Sequence, residues 1–298
     1  MHSFAAAASG LVGLVAVWLL LMPPSTHRLS QWLSASRISD SDATLSAVRG
    51  ALARMGHVGT LFLGGAAVLG LALQLKISAG AVAVPFAVVA SASVRLDGGH
   101  QRVARISPDD AEPVTTNRLF WAGTVVAAAV IGLTAAITYT FGRRSEPSQY
   151  PNFSLGTTLP DVTQHSLLIV GGLSVLLLIG AWLGQARVTW RPSMTCPDPG
   201  ADRALRLVCS RRLAAGLLGG QTILLGIAAS AAPVFAPSGA PPADAWLVDE
   251  SLTDLSSASG LLAVAIGLCV IVAGLAEPWW TARHRAASTS PAPAAGSR

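Results

Sequence analysis

The chain has 298 residues, of which 52% are hydrophobic and 12% charged, with a mean hydropathy of +0.55; a soluble domain carries about a quarter charged residues. That balance excludes an ordinary soluble globular domain. The net charge of +5 would suit nucleic acid, but the arginines cluster between apolar runs and no basic stripe alternates with base-stacking aromatics. The expected partner is therefore the lipid bilayer and not nucleic acid.

The predicted fold class is all-α: a polytopic integral membrane helical bundle. Seven crossings are expected over residues 4–22, 57–75, 77–94, 119–141, 166–186, 213–236 and 257–276, each near the ~20 residues that span a hydrocarbon core of ~30 Å. Six become the count if 77–94, broken by Pro85, is re-entrant. Residues 1–285 form one transmembrane domain, and the Ala, Ser, Pro and Gly tail 286–298 is expected to be disordered. The first apolar run has no Lys or Arg ahead of it and no small-x-small site before Pro23-Pro24, so it reads as a retained helix and not a cleaved signal.

Between the first and second crossings, Leu45, Val48, Leu52 and Met55 recur at helical spacing. Ser39, Asp40, Ser41 and Asp42 offer N-caps for this helix. The reading is a surface helix over 39–55 whose apolar stripe lies on the inner leaflet or docks on a partner.

The segment 187–212 reads as a cytoplasmic loop, because Arg187, Arg191, Arg203, Arg206, Arg211 and Arg212 lie there between two long apolar runs. Counting outward from it puts the amino terminus outside and the carboxyl terminus in the cytoplasm. Seventeen of the 20 basic residues then fall inside and three outside. A re-entrant 77–94 leaves the better orientation at fourteen against six, so the charge bias favours seven crossings. The outer loop before the last crossing carries Asp244, Asp249, Glu250 and Asp254 with no Lys or Arg. Seven of the eight tryptophans, all but Trp246, lie near the inner interface, where amphipathic rings prefer to sit.

Small residues mark the expected helix contacts. Gly180 and Gly184 in the fifth crossing and Gly216 and Gly220 in the sixth form two GxxxG patterns at one depth, which lets two backbones approach closely. Gly260, Gly267 and Gly274 in the seventh keep one face free of bulk at heptad spacing.

The residues carry no catalytic pattern. No Asp, Glu, Lys, Arg or His falls in the middle of a crossing, where ion-coupled carriers place them; His57 and His165 sit at crossing ends. The intramembrane polar residues are Gln74, Thr124, Thr134, Thr138, Tyr139, Ser174, Gln185, Gln221 and Thr222, mostly hydroxyls expected to bond back to their own helix. Gly172-Leu173-Ser174 invites comparison with intramembrane serine proteases, but no histidine lies at matching depth to accept its proton. Cys196, Cys209 and Cys269 form no metal-ligand spacing, and phosphate-loop, zinc-protease and dinucleotide fingerprints are absent. No catalytic, cofactor or metal residue is therefore assigned.

The expected function is a non-catalytic membrane subunit or scaffold whose basic cytoplasmic face docks a cytoplasmic or membrane protein. A small-molecule transporter or permease component is the first alternative, and a membrane-embedded sensor or enzyme using the extracytoplasmic loops the second. The expected location is the plasma membrane, and the arginine-over-lysine bias, with Lys76 the only lysine, suits a GC-rich bacterium.

Overall fold

The computed structural model describes residues 13–20, 22, 25–36, 38, 41–72, 78–94, 118–142, 161–190, 199–231, 235–237, 246–248 and 250–288. Its helices are α1 (13–20), α2 (Thr26–Ala35), α3 (Asp42–Ala72), α4 (Ser78–Ala92), α5 (Arg118–Gly142), α6 (Asp161–Trp190), α7 (Pro199–Ala231) and α8 (Glu250–Ser288). A short antiparallel pair, β1 (Phe235–Pro237) and β2 (Trp246–Val248), lies between α7 and α8. Gln74, Lys76, the segments 95–117 and 143–160, and the tail beyond Ser288 fall outside the described residues.

Among the described residues, four helices are long and apolar enough to cross a membrane: Arg118–Tyr139, Leu167–Trp190, Gly200–Ser230 and Ser257–Ala276. Their outward faces carry large bare apolar side chains, among them Leu119, Val125, Ile169, Leu176, Leu183, Leu262 and Ile266. A soluble monomer rarely exposes so much contiguous apolar surface. The chain is a helical membrane bundle.

Burial identifies the hub. In α7, 67% of the apolar window is buried, against 33% in α6 and 28% in both α5 and α8. Helices α3, α4, α5, α6 and α8 all pack against α7. The lipid-facing surface thus falls to the peripheral helices. The apolar positions of α7, such as Leu205, Leu213, Leu217, Ile223 and Leu224, are instead covered on every side by protein.

Three boundaries differ from the sequence reading. First, the arginine segment 187–212 is mostly helix: α6 continues to Trp190 and α7 begins at Pro199. The run Ala-Asp-Arg-Ala-Leu-Arg is rich in good helix formers and sets its one acid, Asp202, in the first turn, where the helix dipole favours it; Asp202 and Arg206 stand four apart, the spacing at which opposite charges meet on a helix. Second, the amphipathic segment and the second apolar run form one uninterrupted helix, α3. Ser41 caps its start, accepting from the Thr44 N–H at 3.4 Å and meeting the Thr44 hydroxyl at 2.9 Å. Third, α8 runs through Pro278 to Ser288 instead of ending at Glu277-Pro278.

Helix α4 has only 15 residues, ~22 Å at 1.5 Å per residue, shorter than a full hydrocarbon core. It lies inside the bundle: none of residues 81–94 is exposed. Val84, Ala87 and Val88 join one apolar cluster with Ala16, Leu19 and Leu20 of α1, Ile223 of α7, and Leu268, Ile271 and Leu275 of α8.

The glycines work, but not all in the expected pairs. A methyl built on Gly220 would lie 2.5 Å from Leu177 of α6 and 2.7 Å from Pro85 of α4; one on Gly216 would meet Val89 at 3.0 Å and Val88 at 3.2 Å. Gly184 faces the hydroxyl of Ser93 and the side chain of Leu213, while Gly180 has only ordinary contact with Val89 at 3.7 Å. The GxxxG faces of α6 and α7 therefore seat α4 and each other's leucines: no backbone atom of the other helix is among the nearest neighbours of a methyl built on these four glycines. Backbone-to-backbone approach is closest between α7 and α8. Gly260, Gly267 and Gly274 of α8 meet Gly226, Gly219 and Ala215 of α7, an antiparallel register. A methyl on Gly219 would lie 2.5 Å from the Gly267 carbonyl oxygen, and one on Gly267 the same distance from that of Gly219.

Candidate functional site

The contacts gather the arginine-bearing helix ends at one end of the bundle. Leu20 of α1 lies against Gly59 of α3, and Ser93 at the end of α4 against Gly184 of α6. Trp182 of α6 packs edge-on against Phe120 and Trp121 at the start of α5, with centroids 5.1 and 5.6 Å apart. Arg212 of α7 touches Met55 of α3. Arg49, Arg118, Arg187 and Arg203 are exposed at that end on α3, α5, α6 and α7, and Arg28 is exposed on α2 beyond the end of α1.

The amphipathic stripe of α3 is covered by the chain itself. Val48 and Met55 are fully buried, Leu52 is 7% exposed, and Leu45 packs against the same core. The apolar face of α2 (Leu29, Trp32, Leu33) and the first half of α7 (Leu205, Val208, Cys209) belong to that core too. This corrects the expectation that lipid or a partner must cover the stripe. Its polar edge, Asp42, Ser46 and Arg49, remains exposed.

Beside this core lies a polar lattice between α6 and α7. Arg206 donates from Nε to Asp202 at 2.8 Å and from Nη1 to the carbonyls of Val188 and Thr189 at 3.4 and 3.3 Å. A cation thereby satisfies carbonyls that the end of α6 leaves without helical partners. One turn deeper, the Ser210 hydroxyl donates to Gln185 Oε1 at 3.2 Å. Near mid-helix the Ser174 hydroxyl donates to Gln221 Oε1 at 2.7 Å, while Gln221 Nε2 donates back to the Ser174 carbonyl at 3.0 Å. Ser174 and Gln221 are both fully buried.

That clamp bears on two chemistries. The Ser174 proton is directed at an amide oxygen, which is no general base, so the serine joins helices and is not activated for attack. The sequence reading had it bonding its own helix; the partner lies on a helix 47 residues away, which spacing alone does not reveal. Thr124, Thr134 and Thr222 do bond back to carbonyls of their own helices. The buried Thr138 hydroxyl finds no partner among the described residues. His57 is exposed, its Nδ1 2.8 Å from the Ala53 carbonyl. Among the described residues no three His, Cys, Asp or Glu side chains converge.

Arg212 was counted with the loop arginines, yet it is 5% exposed. Its Nη1 donates to the thioether of Met55 at 3.7 Å, and its Nε has no hydrogen-bond partner among the described residues. The signal was in the spacing: Ala201, Leu205, Val208 and Cys209 form a buried stripe along α7, and position 212 continues it.

Comparison of the chain with protein-family models, with curated proteins and with solved structures returned no match.

Proposed function

We propose that the chain is a non-catalytic subunit of the cytoplasmic membrane, crossing it seven times with its amino terminus outside. Its arginine-bearing face holds a partner protein of acidic surface against the inner leaflet. The observation that carries this reading is the exposure of Arg28, Arg49, Arg118, Arg187 and Arg203 on five separate helices around one end of the bundle. Charges on rigid, packed helices hold a fixed pattern, which favours selective pairing with a complementary surface. The closure of Ser174 on Gln221 and of Gln185 on Ser210 supports a scaffold, since these polar groups engage neighbouring helices and not a path.

The reading predicts that gentle detergent extraction at low salt retains a stoichiometric protein with an acidic surface, released when ionic strength is raised several-fold past physiological. Changing Arg49, Arg118 and Arg203 together to Lys keeps the charge that orients the helices but removes the guanidinium fork, and should cut retention about fivefold. No stoichiometric protein at low salt, or one indifferent to salt and to the triple change, would contradict it.

A transport component is the second reading, favoured by α4: a short helix that carries Pro85 within it and whose residues 81–94 are all covered by neighbours is the kind of segment, short and proline-bearing, that marks carrier sites.

A further inference from the structure

Among the described residues, no anion meets the buried guanidinium of Arg212. Arginine presents five N–H donors in a planar fork and has no neutral form in proteins. Among the described residues Nη1 meets the Met55 sulfur at 3.7 Å, Nε meets no hydrogen-bond partner, and the side chain lies within the apolar core of α3 and α7. A thioether is a weak acceptor, and a buried charge without a counter-ion is strongly unfavourable. Asp202 does not supply it, since that carboxylate is engaged by Arg206 at 2.8 Å.

We propose that Arg212 anchors a site for a phosphate-type oxyanion, supplied by the headgroup of an anionic phospholipid in the leaflet at the arginine-bearing end. The proposal is independent of any protein partner.

Three observations carry it. The fork of a guanidinium matches two oxygens of a phosphate, the pairing for which arginine is best suited. The depth fits: Arg212 immediately precedes the buried apolar run that opens with Leu213. The Phe120, Trp121 and Trp182 cluster stands at the same end of the bundle, and tryptophans sit at headgroup level. The surroundings are basic, with Arg211 adjacent on α7 and Arg54 beside Met55 on α3, both half-buried. Basic pockets between transmembrane helices at the cytoplasmic side bind anionic headgroups in this way. The acceptor now on the guanidinium is the thioether of an unbranched methionine, Met55, the apolar side chain that repacks with least strain, and a headgroup oxygen would be the stronger acceptor.

The test uses the full chain in nanodiscs of three kinds: phosphatidylcholine alone, phosphatidylcholine with about a fifth phosphatidylglycerol, and phosphatidylcholine with inorganic phosphate at about 10 mM. Phosphatidylglycerol should raise the melting temperature by about 3–5 °C, and native mass spectrometry should show one anionic lipid retained. Arg212→Gln should lose both effects, while Arg203→Gln, an exposed cation on the same helix, keeps them. Should Arg212→Gln fail to assemble, Arg212→Lys is the readout: it keeps the charge, loses the fork, and should show about half the rise. A rise with inorganic phosphate but not with phosphatidylglycerol overturns the lipid source. No rise in either, or an equal rise in the Arg212 and Arg203 variants, overturns the site.

Discussion

Changing Val48 and Leu52 together to Asp should unfold the arginine-bearing end of the bundle, not merely detach a surface helix. Val48 is fully buried and Leu52 nearly so, between α2 and the first half of α7. The apolar side chains of that cluster, among them Leu29, Trp32, Leu33, Val208 and Cys209, cannot pair a carboxylate, and the buried guanidinium beside Met55, Arg212, can answer at most one of the two acids. Each buried, unpaired acid is worth several kcal/mol against the fold, and total stabilities are only about 5–15 kcal/mol. The double variant should therefore lose its cooperative thermal transition in detergent and elute as aggregate. Ser46→Asp, on the exposed face of the same helix, should melt with the wild type. A double variant that stays monodisperse with an unchanged midpoint would mean that something other than this chain covers the stripe.

The second large effect is expected at the α7–α8 contact. Gly219→Leu places a branched side chain where a methyl alone would already lie 2.5 Å from a backbone carbonyl of α8. Backbone cannot rotate away as a side chain can, so the helices must separate. Overpacking of this kind typically costs about 1–3 kcal/mol and sometimes more, and with three small-residue layers in register the upper end is expected. Gly172→Leu, where a side chain would meet nothing within 4 Å, should change the midpoint by less than a degree or two, within the ~0.5 kcal/mol of a neutral surface change. Gly184→Leu and Gly220→Leu should fall between, since part of what they meet is side chain. Equal midpoints for Gly219→Leu and Gly172→Leu would refute the close contact.

Comparison of these sites shows which features were legible in the sequence. Hydropathy gave the class directly, because long apolar runs bounded by arginines have few other uses. The heptad of Gly260, Gly267 and Gly274 showed that α8 has a face without bulk. Its partners, Ala215, Gly219 and Gly226, could not be named before it was known which helix lay opposite. For the α6 and α7 glycines, depth was inferable but adjacency was not: α4 occupies the space that a two-helix argument leaves empty. The α3 stripe shows the same limit, since periodicity reveals that a face must be covered but not by what. The 187–212 reading erred for another reason. Six arginines suggested a loop, and that weight hid the helical spacing of Asp202 and Arg206 and the place of Arg212 on a buried stripe.

The central claim, that the arginine-bearing helix ends share one side of the membrane and that this side faces the cytoplasm, is tested most directly by fusing a sidedness reporter at six positions. Fusions after Gly50, Arg105, Arg203 and Arg285 should report the inside, and those after Arg144 and Ser256 the outside. An inside signal after Ser256, or opposite signals after Gly50 and Arg203, would contradict it.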